Sequence, residues 1–128
     1  MPDIKINTLM NRPTDITESF LQLIDKHLAD LVSAKEETMF EIEEFAGLLC
    51  IHPTHLSHTI KQVTGETPCG IYQMKILETA KKLLSDKDLA IKDIAYILSY
   101  DPSQFTKWFK RFAGETPKSY RRSLYKDI

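Results

Sequence analysis

The chain has 128 residues, of which 42% are hydrophobic and 27% charged, a balance typical of one soluble globular domain or two very small ones. It contains no apolar stretch long enough to span a membrane and no basic-then-apolar secretion signal, so we expect a cytoplasmic protein. Its two cysteines, Cys50 and Cys69, show neither CxxC nor zinc spacing, and we interpret them as buried thiols in a reducing compartment.

The formal net charge of −1 conceals an uneven distribution. Residues 1–50 contain 4 Lys and Arg against 10 Asp and Glu, whereas residues 51–128 contain 13 against 8. Seven basic residues within 102–126 accompany a single acid, Glu115. These seven are Lys107, Lys110, Arg111, Lys118, Arg121, Arg122 and Lys126. A basic end of this kind indicates a polyanionic partner such as nucleic acid.

Apolar spacing predicts helices in chain order, beginning after an aperiodic segment that we expect to be a loose tail, residues 1–14. The first helical stripe consists of Ile16, Phe20, Leu23, Ile24, Leu28 and Leu31. Two short stripes follow, Ile42, Phe45, Ala46 and Leu49, then Leu56, Ile60 and Val63. Because only a few residues ending in His52-Pro53 separate these two, they predict a helix-turn-helix unit.

The sequence GETP at residues 65–68 predicts a joint between two helices. Gly65 can end one helix with a positive φ, while Thr67 can cap the next helix and Pro68 can occupy its first position. A single glycine cannot form a phosphate-binding cradle, so we do not interpret this segment as a nucleotide site. A connecting helix follows, with Ile76, Ala80, Leu83 and Leu84 on one face.

The same unit then recurs 49 residues later, because residues 42–68 and 91–117 share nine identities without a gap. GETP returns at 114–117, and Asp101 is a good cap for the second helix of the repeat. The aromatic stripe of that helix, Phe105, Trp108, Phe109 and Phe112, is predicted to be core. We therefore expect an all-α protein of seven helices. Its predicted segments are a tail (1–14), a first helix-turn-helix unit (15–70), a linker helix (71–85) and a second unit (86–128).

Roughly residues 16–122 resemble the DNA-binding domain of AraC-type transcription regulators, and the resemblance is strongest in the second unit. It rests on Ile94-Ala95, the run from Phe105 to Lys110, Gly114, Thr116-Pro117 and Tyr120-Arg121. The first unit is similar in Ala46, Pro53, Leu56-Ser57, Lys61, Gly65 and Pro68. This chain has Ser99-Tyr100 where the family often has Gly-Phe, and His58 where it often has Arg. The resemblance implies a double helix-turn-helix fold that binds double-stranded DNA.

If the apolar stripes face the core, the opposite faces of the two helices that carry the stripes at 56–63 and 105–112 are available to a major groove. In the first unit these candidate DNA-binding residues are Thr54, His55, Ser57, His58 and Lys61. In the second unit they are Ser103, Gln104, Thr106, Lys107, Lys110 and Arg111. We expect Gln104 and Lys107 to contact base edges, and Lys61, Lys110 and Arg111 to contact phosphates. A linker helix of about 18 residues spans roughly 27 Å, near the 34 Å repeat of B-DNA, so one monomer could read adjacent major grooves.

Three histidines, His52, His55 and His58, invite a metal hypothesis, but their angular separation around one helix makes joint ligation implausible. We expect no metal, no cofactor and no enzymatic activity, because the sequence contains no cofactor motif and no nucleophile beside a base. The favoured function is a sequence-specific DNA-binding transcription regulator, an activator, acting as a monomer. The alternative is a protein-interaction module in which the acidic first unit binds RNA polymerase or a partner regulator and only the second unit contacts DNA.

Overall fold

The computed structural model describes residues 12–125 and contains seven α-helices and no strand within that range. This confirms the predicted all-α fold. The helices are α1 Pro13–Val32, α2 Ile42–Leu48, α3 Pro53–Thr64, α4 Pro68–Leu84, α5 Ile91–Ile97, α6 Pro102–Ala113 and α7 Pro117–Tyr125. Five of the seven begin at a proline, a residue suited to the first helical position because the N–H that it lacks would have no partner inside the helix.

The chain divides into two structural units, and both α1 and α4 contribute residues to each of them. The described part of unit 1 is residues 12–27 and 40–73, and that of unit 2 is residues 28–39 and 74–125. These boundaries differ from the predicted segments 15–70, 71–85 and 86–128, since the loop before α2 belongs partly to unit 2. The predicted tail, residues 1–14, lies mostly outside the described residues, and its last two residues already belong to α1.

Unit 1 has an aromatic centre at Phe45 on α2. Its ring makes edge-to-face contacts with Phe20 of α1 at 5.9 Å and with Tyr72 of α4 at 5.1 Å between ring centroids. The buried apolar side chains of the unit are Ile16, Phe20, Ile24, Phe45, Ala46, Leu49, Leu56, Ile60 and Tyr72. The predicted stripes on α1, α2 and α3 therefore supply this core, with Leu23 half-buried beside it.

The backbone of Phe40, just before α2, is held from two sides in unit 1. Its N–H donates to Nε2 of the buried His27 at 2.8 Å, and its carbonyl accepts from the Tyr72 hydroxyl at 2.9 Å. The His27 and Phe40 rings also stack, with centroids 3.9 Å apart. These contacts fix the entry to α2, because a part-buried backbone N–H without an acceptor would be costly.

The core of unit 2 is supplied by α1, α4, α5 and α6. Its buried apolar residues are Leu28, Leu31, Ile76, Ala80, Leu84, Ile94, Ala95, Leu98, Phe105 and Phe109. The half-buried Trp108 stacks on Tyr100 at 5.3 Å, and Phe109 contacts the Tyr120 ring of α7 at 5.7 Å. The aromatic stripe of α6 is thus largely core, as its spacing predicts.

Both GETP segments are helix joints. Gly65 and Gly114 have φ angles of 80° and 84°, and their N–H groups bond the carbonyls of Lys61 and Lys110 at 2.9 Å. Thr67 then caps α4 through a 3.0 Å bond from the Gly70 N–H to its hydroxyl. Thr116 accepts equivalently from the Ser119 N–H at 3.1 Å and caps α7. The same four residues therefore end the second helix of each helix-turn-helix unit, α3 or α6, and start the helix that follows it. We refer to α3 and α6 as the recognition helices.

Candidate nucleic-acid interface

The turn before each recognition helix is a Schellman motif that a non-glycine residue closes. In unit 2, Ser99 has φ 67°, its N–H bonds the Tyr96 carbonyl at 3.0 Å, and the Tyr100 N–H bonds the Ala95 carbonyl at 2.8 Å. In unit 1, Cys50 has φ 59° and takes the equivalent position. Each turn therefore places a residue with a side chain in the left-handed region, which glycine adopts at least cost.

The recognition helix α6 starts on a strong cap. Asp101 accepts the Gln104 N–H through its carboxylate at 2.9 Å, and Pro102 follows at the first helical position. Because Phe105 and Phe109 are fully buried, the rotation of α6 about its axis is fixed. The polar face of the helix is consequently directed to solvent.

The structure exposes almost all of the predicted contact residues on α6. Five of them are solvent-exposed: Ser103, Gln104, Lys107, Lys110 and Arg111. Positions three, four and seven apart share a helix face, so these residues form one continuous polar stripe centred on Lys107. Thr106 is half-buried, and its hydroxyl donates to the Pro102 carbonyl at 3.0 Å, so that proton is already engaged.

The recognition helix of unit 1, α3, presents a less basic surface. Thr54, His55, His58 and Lys61 are exposed and Ser57 is half-buried. Lys61 is the only lysine or arginine of this helix, whereas α6 carries three. The preceding helix α2 also displays Glu43 and Glu44 in its first turn. The electrostatic attraction of DNA phosphates is therefore stronger at unit 2.

One of the seven basic residues near the C-terminus has an internal partner. The Arg121 guanidinium donates to the carbonyls of Leu84, Asp86 and Leu89 at 2.9, 3.1 and 2.7 Å. These bonds supply donors to carbonyl groups at the end of α4 and in the loop that follows. Carbonyl groups at the end of a helix have no hydrogen-bond partner inside the helix. Arg121 thus joins α7 to this loop and is not an available phosphate contact.

Two sequence interpretations about burial are wrong. Val63 and Phe112 are 40% and 44% exposed, although both belong to stripes predicted to be core. They occupy equivalent positions two residues before the glycine that ends α3 or α6, and burial of each stripe stops before that position. Cys50 and Cys69 are exposed instead of buried, since Cys50 closes a surface turn and Cys69 lies in the first turn of α4.

Two functional positions in the turns were missed by the sequence interpretation. His52 caps α3, because its Nδ1 accepts the Thr54 N–H at 3.1 Å, as the carboxylate of Asp101 does in the other unit. Ser99 also bonds a distant loop, donating to the Glu37 carbonyl at 3.2 Å and accepting from the Met39 N–H at 2.9 Å. The repeat aligns His52 with Asp101 and Cys50 with Ser99, so the capping role was visible in principle.

The described residues contain no group of three His, Cys, Asp or Glu side chains placed to hold a metal ion. No helix among them is long and apolar enough to cross a membrane.

Comparison with known proteins decides the family. A model described as a helix-turn-helix domain matches residues 45–123, which include α3 to α6 and most of α2 and α7. The chain belongs to the AraC-type helix-turn-helix family. It has the fold and the sequence features of an AraC-type DNA-binding domain. The family consists of DNA-binding regulators, which are not enzymes.

Individual relatives agree with this assignment. The chain is 30% identical over 105 residues to YobQ, an uncharacterized HTH-type transcriptional regulator of Bacillus subtilis, covering 81% of this chain and 40% of that protein. It is 28% identical over 118 residues to the arabinose operon regulatory protein of Salmonella typhimurium, covering 91% of this chain and 40% of that protein. The AraC-type chain described here therefore spans less than half the length of these two relatives.

A solved structure also matches the AraC-type fold. The C-terminal domain of AraT, a response regulator from Geobacillus stearothermophilus, superposes with a TM-score of 0.72 at 29% identity and covers 84% of both chains. The fold and the family are thus supported by the match to the family and by the structural superposition.

Proposed function

We propose that this AraC-type domain activates transcription by placing α3 and α6 in adjacent major grooves, with α6 supplying most of the affinity and specificity. The observation that carries the proposal is the exposed stripe of α6, where Lys107, Lys110 and Arg111 lie on one face beside Gln104. No acidic residue occurs in this helix, so nothing on it opposes a phosphate backbone.

The stripe suggests a division of roles. Gln104 and Lys107 lie in the first half of α6, the part that enters a major groove in helix-turn-helix proteins, and their amide and ammonium groups can bond adenine and guanine edges. Lys110 and Arg111 lie in the last turns, where long basic side chains reach phosphates. Arg111 also lies over the Phe112 ring at 5.3 Å, which restrains its guanidinium.

Binding to a DNA site selected from a random pool tests this division. Lys107→Ala should relax preference at one base pair and cost about 1–3 kcal/mol there, whereas Lys110→Ala should weaken all sequences alike. Lys110→Ala should also reduce the slope of log K against log salt by about 0.9. Lys82→Ala, which removes an exposed lysine of α4, is the matched control and should leave the slope unchanged.

His58→Ala distinguishes the two recognition helices. We expect it to cost less than Lys107→Ala at neutral pH, because α3 carries a single lysine, whereas Lys107 is one of three basic side chains on α6. A larger cost for His58→Ala would refute the dominance of α6. Equal loss from Lys82→Ala would show that binding follows total charge and not the stripe.

A second candidate function is supported by the surface of α2. Leu48 is 58% exposed and Glu43 is exposed on the same short helix, an apolar and acidic combination that suits contact with a partner such as RNA polymerase. Under this alternative, only unit 2 binds DNA. Glu43→Gln with Leu48→Ala should then abolish activation in transcription with purified polymerase while leaving DNA affinity unchanged. Unchanged activation would exclude the α2 surface.

We further propose that the domain acts in the cytoplasm, where bacterial DNA is found, and binds as a monomer because the repeat supplies two recognition helices. Sedimentation at micromolar concentration should give the mass of one chain, and a stable dimer would contradict this.

A further inference from the structure

Unit 2 contains a surface groove that the DNA-binding stripe does not use. The groove has a volume of about 400 Å³ and is open to solvent. One wall is the end of α1 and the residues after it, and the other wall is α5. The first wall contributes Leu31, Ala34, Glu36 and Glu37, and the second contributes Asp93, Tyr96 and Ile97.

The lining of the groove is both acidic and apolar. It includes the carboxylates of Glu36, Glu37 and Asp93 and no lysine or arginine. The apolar part of the lining is Tyr96, which is 59% exposed, and Ile97, which is half-buried. Exposed large apolar side chains grouped beside charges of one sign are typical of protein interaction sites. The acidic lining repels DNA, so this surface has a different partner from α6.

The backbone of the first wall is held in place. Ala34 has φ 64°, and the N–H groups of Lys35 and Glu36 both bond the Asp30 carbonyl, at 2.8 and 3.1 Å. The Ser99 hydroxyl then fixes the Glu37 carbonyl. A glycine at position 99, which the AraC family often has, could not form this bond. The wall is therefore ordered before any partner arrives, which lowers the entropic cost of binding.

We propose that this groove docks a segment of a partner protein that carries basic side chains next to apolar ones. The three carboxylates complement the basic side chains, while the exposed Tyr96 and the half-buried Ile97 offer apolar contact. A groove open to solvent suits a chain segment better than a small ligand, because small-molecule sites enclose most of the ligand surface. A second copy is a poorer fit, since the basic residues of this chain gather on α6, which binds DNA.

The test uses a fluorescent amphipathic peptide of leucine and lysine as the probe, with a leucine–glutamate peptide as its counterpart. Anisotropy is measured without DNA. The lysine peptide should bind and the glutamate peptide should not. Neutralising the groove with Glu36→Gln, Glu37→Gln and Asp93→Asn together should weaken binding by about tenfold. Tyr96→Ala alone should weaken it by about fivefold. Both variants should keep the circular dichroism spectrum of the parent, and neither should bind DNA less tightly than the parent.

The matched control neutralises three exposed carboxylates elsewhere, Glu18→Gln, Glu66→Gln and Glu78→Gln, and changes the net charge equally. It should bind the lysine peptide as the parent does. Equal weakening by this control would show attraction to total charge and overturn the proposal. Displacement of the peptide by equimolar spermidine would overturn it in favour of a polyamine site. If the protein self-associates and the groove variant abolishes that association, the proposal is overturned in favour of a second copy of this chain as the occupant.

Discussion

The two helix-turn-helix turns offer a matched pair of substitutions with opposite expected effects on stability. Cys50 and Ser99 are equivalent in the repeat and both have a left-handed backbone, with φ 59° and 67°. A residue with a side chain costs about 1–2 kcal/mol in this conformation, and glycine avoids that cost. Glycine in turn loses about 0.5–1 kcal/mol more backbone entropy on folding. We therefore expect Cys50→Gly to stabilise the protein by about 0.5–1 kcal/mol.

Ser99→Gly should behave differently because the serine side chain has partners. Its hydroxyl bonds the Glu37 carbonyl and the Met39 N–H at 3.2 and 2.9 Å, and two such bonds contribute about 1–3 kcal/mol together. This loss exceeds the strain that glycine relieves, so the variant should be less stable than the parent by about 1 kcal/mol. No side-chain hydrogen bond of this kind joins Cys50 to the described residues.

The assay is urea and thermal unfolding followed by circular dichroism in reducing buffer, with Cys69→Ser in every protein to prevent disulfide exchange. One kcal/mol corresponds to a shift in Tm of about 4 °C for a chain of this size. Cys50→Ala is the control, because it removes the thiol but keeps the strained backbone, and its Tm should stay near that of the parent. Equal stabilisation by Cys50→Gly and Ser99→Gly would refute the reasoning. So would a Cys50→Gly variant no more stable than Cys50→Ala.

Three further substitutions test other joints of the fold. Gly114→Val should destabilise the protein by about 2 kcal/mol, because valine is strained at a φ of 84°. A Cβ at this position meets no atom within 4 Å, so backbone strain is the whole cost, and an unchanged Tm would show that Gly114 does not need its positive φ. Arg121→Met should cost about 2–3 kcal/mol in urea unfolding, because three carbonyls lose their donor, whereas Lys118→Met should cost almost nothing. Equal effects would contradict the role of Arg121 in joining α7 to the loop after α4. His27→Phe keeps an aromatic ring but removes the acceptor of the Phe40 N–H, so unfolding should become easier by about 1–3 kcal/mol, and faster amide exchange at Phe40 should accompany it.

Much of the fold could be predicted because its signals are local. Helix stripes, the proline starts and the two GETP joints depend on residues within one or two turns of each other, and the structure confirms them. Asp101 as a cap belongs to the same class, since the N–H that it accepts is three residues away. The repeat then placed two such units in one chain. The exposed face of α6 followed from the same periodicity, because burying Phe105 and Phe109 exposes Lys107 and Lys110.

The long-range contacts followed no such local rule. Ser99 bonds residues 60 and 62 positions away, and Arg121 reaches carbonyls 32 to 37 positions away. No pattern in the sequence indicates which carbonyl ends up near which donor, so charge counting placed Arg121 among the candidate polyanion contacts. The exposure of Val63 and Phe112 has a similar origin. Their spacing is that of core residues, but burial requires a covering element, and only the tertiary structure determines how far along a helix that cover extends.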